Sequence, residues 1–315
     1  MGFKRGVRSS KSRAGQAPCI QQGARTAAKG TTEQRSPQRK HVLLGMNKLT
    51  MPTSLRGIAN KAAEQKRYRF GDLYRMLNEE NLRWSFYQLR KDAACGVDRV
   101  TFEDYESNLD DNLADLVERL KHKRYRAKLV RRKYIPKPGS DKSRPLGIPA
   151  LEDKILQVAV ANILSAIFGQ DFLGCSYGYR KGIGPHDALD DLQQSLYNGQ
   201  YHWVVEADIR GFFDNMNHDW LVRMLEERVD DRAFVRLIRK WLRAGILEED
   251  GRVVHPATGS PQGGIVSPVL SNIYLHYVLD LWFEKEVAKG CLGQCKLVRY
   301  ADDCAPRALR LFEPP

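Results

Sequence analysis

The sequence is poor in cysteine, and what it has is unpaired: six residues, Cys19, Cys95, Cys175, Cys291, Cys295 and Cys304, share no framework of repeated spacings. That excludes a disulfide scaffold and reads as free thiols in a reducing compartment. Cys291 and Cys295 make a C-x3-C pair with no second Cys/His pair near it, so half of a zinc site is missing. Long apolar runs are also absent. The longest, "ILQVAVANILSAIF", is interrupted by Gln157, Asn162 and Ser165 and is too short to cross a bilayer, which excludes a membrane span, and no signal peptide precedes it. Acidic residues are almost missing from the first fifty positions, which hold one against eleven Lys/Arg. No Ser/His/Asp or Cys/His triad suggests itself, and His186, His218 and His276 read as structural. There are no internal repeats.

What is present is positive charge. The 315 residues carry a net +13 and a pI near 9.5, the signature of a polyanionic partner. Nucleic acid is the first such partner, although a ribosomal or membrane-surface protein shares the bulk number. Most of the excess lies in residues 1–50, which have too few regularly spaced apolar residues to order themselves and read as a disordered basic arm. A mitochondrial transit peptide fits the same Arg and Ser content; the arm, and a cytoplasmic location of bacterial type, is the reading adopted. A second basic stretch, 119–144, has twelve Lys/Arg against Asp141 alone, with Tyr125 and Tyr134 interleaved. These tyrosines would either stack on bases or pack inward.

Apolar spacing predicts helices over 71–89, 102–120, 151–168, 218–228 and 232–244. Four prolines in "RRKYIPKPGSDKSRPLGIP" argue instead for two short strands and a turn. "YHWVVEADI" alternates as one strand, and "EEDGRVV" reads as a short hairpin. A helix follows "SPQGG", entered through Ser267 as cap and Pro268 in the first turn, and a strand "KLVRY" leads to Asp302 and Asp303.

Asp208 ends one predicted strand and Asp302/Asp303 follow another. Carboxylates set side by side at strand ends repel, which is tolerable when a divalent cation neutralises them. Magnesium needs few protein carboxylates and keeps positions open for substrate phosphates, so this pattern suits two-metal phosphoryl transfer. Each aspartate alone has a blander reading, as a turn residue after a strand.

In order, "ADIRGFFD", "SPQGG" and "YADD" resemble the palm motifs of reverse transcriptases. "KPGSDKSRPLGIP", "GYRKGIGPHDAL" and "SPQGGIVSPVLSNIYLHYVLD" narrow the resemblance to proteins encoded by group II introns, over roughly residues 70–303. The resemblance implies an RNA-directed DNA polymerase acting on an RNA template or intron RNA, a DNA primer and dNTPs. It implies that Asp208 and Asp302, with Asp303 beside them, bind two Mg2+, one activating the primer 3′-hydroxyl and one holding the triphosphate. Phe213 falls at the steric-gate position that selects dNTPs, Gln262 and Gly263 at the loop lining the incoming nucleotide, and Lys137 and Arg144 at the fingers residues that grip the triphosphate. Without the resemblance, Phe213 is an ordinary core residue and the two basic residues belong to a solvated face.

The implied fold is α+β: right-hand polymerase fingers mixing helices with a basic hairpin, then a small antiparallel palm sheet backed by helices. The boundaries expected are 1–50 arm, 51–200 fingers and 201–315 partial palm. After "YADD" the family has an apolar return strand and a thumb. Here "CAPRALRLFEPP" follows, and Pro306 with Arg307 and Arg310 is expected to spoil that strand. The expectation is a truncated copy lacking the thumb, of doubtful activity. Three alternatives stay open: an RNA-binding maturase-like fragment that needs no aspartates, a retron-type reverse transcriptase, and another Mg2+-dependent transferase on a palm-like sheet. The sequence leaves a homodimer open.

Overall fold

The computed structural model describes residues 52–136, 139, 143–198, 201, 203–260, 263–291 and 293–308. The expected basic arm, Lys137 and Gln262 lie outside them. Helix α1 (Thr53–Glu64) is followed by α2 (Glu79–Phe86), which starts where the Asn78 side chain accepts from the Asn81 N–H. A reciprocal capping box between Thr101 and Asp104 opens α3 (Phe102–Glu106). The leucine spacing of α4 (Leu109–Lys121) buries Leu109, Leu113, Leu116, Val117 and Leu120 on one face. Strands β1 (Val130–Pro136) and β2 (Ser143–Ile148) form the expected antiparallel hairpin.

Helix α5 (Leu151–Phe168), apolar nearly all round, is the centre of the core and packs against α1 and α2. Its first turn buries Asp153, which accepts from the Tyr125 hydroxyl and the Lys128 N–H. Tyr125 therefore packs inward, its hydroxyl also accepting from Trp241 Nε1 at 2.8 Å, whereas Tyr134 stays exposed and donates to Glu248.

Further along come α6 (Pro185–Asn198), β3 (Trp203–Val204), β4 (Ala207–Asp208), α7 (Phe212–Asn215), α8 (His218–Glu226) and α9 (Arg232–Leu242). Asn217 caps α8 and Asp231 caps α9, each accepting two N–H groups of the first turn. The short strands β5 (Ile246–Leu247) and β6 (Val253–Val254) are followed by α10 (Ser267–Leu275), which also packs on α5 and α8. Ser267 does not cap α10. The position falls to Val266, and the Ser267 hydroxyl bonds instead to that of Ser260 at 2.6 Å, tying the preceding loop to the helix. Beyond α10 the helix winds as π over His276–Asp280 and Phe283–Val287, and β7 (Cys295–Tyr300) and β8 (Asp303–Ala308) close the described residues.

Among the described residues two four-stranded sheets result. In the first, β5 lies parallel to β1 and brings β6 with it, giving the order β2-β1-β5-β6. In the second, β8 is central, with β7 on one side and both β3 and β4 on the other, all antiparallel. The return strand that Pro306 was expected to spoil is thus present.

The damage is local, and it explains a second departure: the single strand expected through Val204 and Asp208 is split into β3 and β4. Val204 faces Arg307 and Ala207 faces Cys304, so the register runs unshifted across the gap and sets Val205 opposite Pro306. Main-chain groups alternate in direction along an antiparallel strand. Counting from the Tyr300–Asp303 pair that closes the β7–β8 hairpin, Cys304 and Pro306 face the β3/β4 side. Proline has no N–H to offer Val205, and the ladder opens at that step.

Candidate active site

The register sets Asp208 directly opposite Asp303, so the two side chains share one face of the sheet. Asp302 stands in the two-residue turn between Tyr300 and Asp303. Carboxylates expected from opposite ends of the sequence segment are brought together. Burial raises the Asp302 carboxyl above its ordinary value and the charges of Asp303 and Asp208 push the same way, while its own backbone hydrogen bond and Arg144 pull it down. Asp208 and Asp303 are exposed and Asp302 is half-buried, so the group opens to solvent.

Such turns favour a positive φ at the first loop residue, a place for Gly, Asn or Asp. Here that residue is Ala301, with φ of 57°. A left-handed L-residue costs roughly 1–2 kcal/mol, and residues held that way collect at functional sites. Against this turn lies the glycine-rich segment 174–184. Cys175 accepts from the Arg299 N–H and Tyr177 donates to the Arg299 carbonyl, lacing the segment to the edge of β7. A Cβ on Gly178 would sit 2.3 Å from the Ala301 nitrogen, so only glycine lets the chains approach so closely.

From the other side comes the first sheet. Arg144, exposed on β2 opposite Ile135, is close enough for its charge to act on Asp302 and on Tyr179. Gly263 (φ 108°) presses on the same strand, where a Cβ would come 2.5 Å from the Gly147 carbonyl oxygen. Its loop is anchored to α7: Ser260 N donates to the Phe213 carbonyl and Gly259 N to that of Met216, both at 2.8 Å, and His218 Nε2 bonds to the Gly259 carbonyl. Phe212 is the buried core residue of this helix and Phe213 is half-buried, their rings edge to face with centroids 5.4 Å apart. Asp208, Asp302, Asp303 and Arg144 are thus drawn to one place; Gly263 packs on β2, the strand that carries Arg144, and the Phe213 carbonyl holds Ser260.

Two residues of this region carry no role in the sequence reading. Tyr179, exposed and left-handed (φ 56°), lies within the electrostatic reach of Asp302, Asp303 and Arg144. Its signal was its place in "GYRKG". Arg299 is wholly buried beneath the turn, and only its place two residues before Ala301 in "VRYADD" pointed to it.

The donors present suit a hard cation. Three carboxylates with no sulfur or imidazole among them match magnesium, and a cation would relieve the charges of Asp208 and Asp303, which add to burial in raising the Asp302 carboxyl. Among the described residues no group of three or more His, Cys, Asp or Glu forms a ready-made metal cage. Magnesium at such sites depends on few protein carboxylates, with waters and substrate phosphates completing its shell.

The family model for reverse transcriptases (RNA-dependent DNA polymerases) matches residues 135–306. The chain belongs to the reverse transcriptase family. The match takes in all the residues assembled above and every strand except most of β1 and the end of β8. Relatives place this reverse transcriptase with the group II intron-encoded branch. The group II intron-encoded protein LtrA of Lactococcus lactis subsp. cremoris is 36% identical over 217 residues, which cover 67% of this chain and 36% of LtrA. Protein YkfC of Escherichia coli is 36% identical over 184 residues, covering 58% of this chain and 48% of YkfC. The chain spans about a third and about half of those two relatives. A solved structure titled a partial Cas6-RT-Cas1--Cas2 complex aligns with 76% of this chain and 38% of that chain, at a TM-score of 0.44 and 25% identity. Among the described residues no helix is long and apolar enough to cross a membrane.

Proposed function

We propose that this reverse transcriptase carries an RNA-directed DNA polymerase site of group II intron type, extending a DNA primer on an RNA template with dNTPs. The observation that supports the reading is the convergence of Asp208 and Asp303, paired between β4 and β8, with Asp302 in the β7–β8 turn, within the electrostatic reach of Arg144. Asp208 and Asp302 would hold Mg2+, with Asp303 completing the acidic face. The bound ions would neutralise charge on the triphosphate and on the primer hydroxyl. The chain's own part is positional: Arg144 and Lys137 bind phosphate oxygens, and the Gln262–Gly263 loop lines the nucleotide. The Phe213 ring excludes a 2′-hydroxyl. Residues 51–200 act as fingers and 201–315 as a partial palm, except that β5 and β6 complete the fingers sheet. An intron RNA is the natural partner of a protein of this branch, held by the basic faces with strong salt dependence.

Primer extension on an RNA template with dNTPs and Mg2+ tests this, using the chain beside Asp208→Ala and Asp302→Ala. Extension by the unaltered chain, reduced at least about a thousandfold in both variants, is expected from loss of a metal platform. Extension that survives either substitution overturns the assignment. RNA binding equal in all three proteins, with no extension by any, would leave only a maturase-like binding role.

A further inference from the structure

Arg299 is wholly buried, and every N–H of its guanidinium is used. Nε and Nη2 donate to the two carboxylate oxygens of Asp280 at 2.7 Å each, a bidentate fork. Nη2 also reaches Ser176 Oγ at 2.6 Å, and Nη1 reaches Asn272 Oδ1 at 3.1 Å and the Ala301 carbonyl at 2.9 Å. Neither the Arg299 nor the Asp280 side chain has any exposed surface. The same Asn272 donates through Nδ2 to the Gly178 carbonyl at 2.7 Å, gripping the residue that packs on the Ala301 nitrogen. Asp280 is presented by the π-wound turn His276–Asp280, where Leu281 N donates to the His276 carbonyl. Such π turns inside helices are frequent at functional sites.

A buried ion pair is not an efficient source of stability, since apolar residues of like volume often do as well or better. What this pair does that apolar residues could not is supply a donor to the Ala301 carbonyl, in a turn whose left-handed backbone is unfavourable for alanine. We infer that Arg299, held by Asp280 and Asn272, is a positioning residue that keeps the Ala301 turn in its strained form and so sets where Asp302 and Asp303 stand. The inference deepens the polymerase reading but concerns the turn itself, and its test separates the two.

The test compares the wild type with Arg299→Met/Asp280→Leu, in which apolar packing replaces the pair, and with Arg299→Lys, which keeps the charge but not the fork. Hydrogen exchange is followed at the amides of Lys296 and Val298 in β7, which face β8, and at those from Ala301 to Cys304. The double variant is expected to melt near the wild type and keep β7 protected, while exchange across the turn rises about tenfold or more. Arg299→Lys should show the same selective loosening, and it decides the matter should the double variant fail to fold. In primer extension, kcat should fall with KM for dNTP unchanged. Unaltered exchange at the turn in a folded variant overturns the inference, as does loosening spread evenly over β7 and the turn. Selective loosening with no extension by the wild type would sink the polymerase reading and leave the positioning role standing.

Discussion

Phe213 lies half-buried beside a fully packed Phe212, and its carbonyl fixes the loop that precedes Gly263. The ring packs on the edge of the core and keeps part of its surface open to solvent, where a sugar can meet it. Phe213→Val should therefore fold, and should weaken discrimination against rNTPs by on the order of tenfold or more in single-nucleotide incorporation. An unchanged dNTP/rNTP ratio would remove the steric-gate role. Gly178 makes the sharper case. Alanine there places a Cβ 2.3 Å from the Ala301 nitrogen and 3.0 Å from its Cα, both main-chain atoms that cannot swing aside. Gly178→Ala should cost about 1–3 kcal/mol in chemical unfolding and should reduce extension more than that destabilisation accounts for. Wild-type extension would mean that the turn tolerates displacement.

At the scale of elements, proline in the central strand makes a prediction of its own. Pro306→Val supplies the missing N–H opposite Val205 and a better strand former. Its new amide should be protected from exchange at least about tenfold over an unstructured amide; rapid exchange at 306 would refute the account of the split strand. This element also shows what the sequence discloses. The helices α5, α8 and α9 and the β1–β2 hairpin were legible because apolar period, caps and proline placement are local signals. The two aspartate positions were legible because each ends an apolar strand. The break at Val205 was not, because its cause lies about a hundred residues further along the chain. Nor was the parallel seat of β5 beside β1, which depends on where Gly245 and Val130 meet in space. The role of Arg299 was hidden for the same reason: Ser176, Asn272 and Asp280 become its partners only in the fold.

Across the whole molecule, burial of a carboxyl at the start of α5 couples stability to pH. Burial pushes Asp153 up to about 6 from an ordinary 3.8, against the hydrogen bonds from Tyr125 and Lys128 that favour its charged form. Between those values the unfolded chain has lost the proton and the folded chain keeps it, so this group favours the fold at low pH and its contribution declines as pH rises through 6. From pH 4.5 to 7.5 that decline is about 2 kcal/mol, at 1.36 kcal/mol per unit. Relative to Asp153→Asn, which does not titrate, wild-type stability in urea should fall by this amount over the interval. Parallel pH profiles for the two proteins would contradict it.

The central place of β8 bears on how the molecule is made. A ribosome delivers β3 and β4 about a hundred residues before the strand that pairs with them, and among the described strands they have no other neighbour. During that interval Val204 and Val205 belong to an edge that any other nascent strand can join. Slow elongation between Asp208 and Asp303 would lengthen the hazard, and the yield of native protein should respond to translation speed over that segment more than elsewhere in the gene.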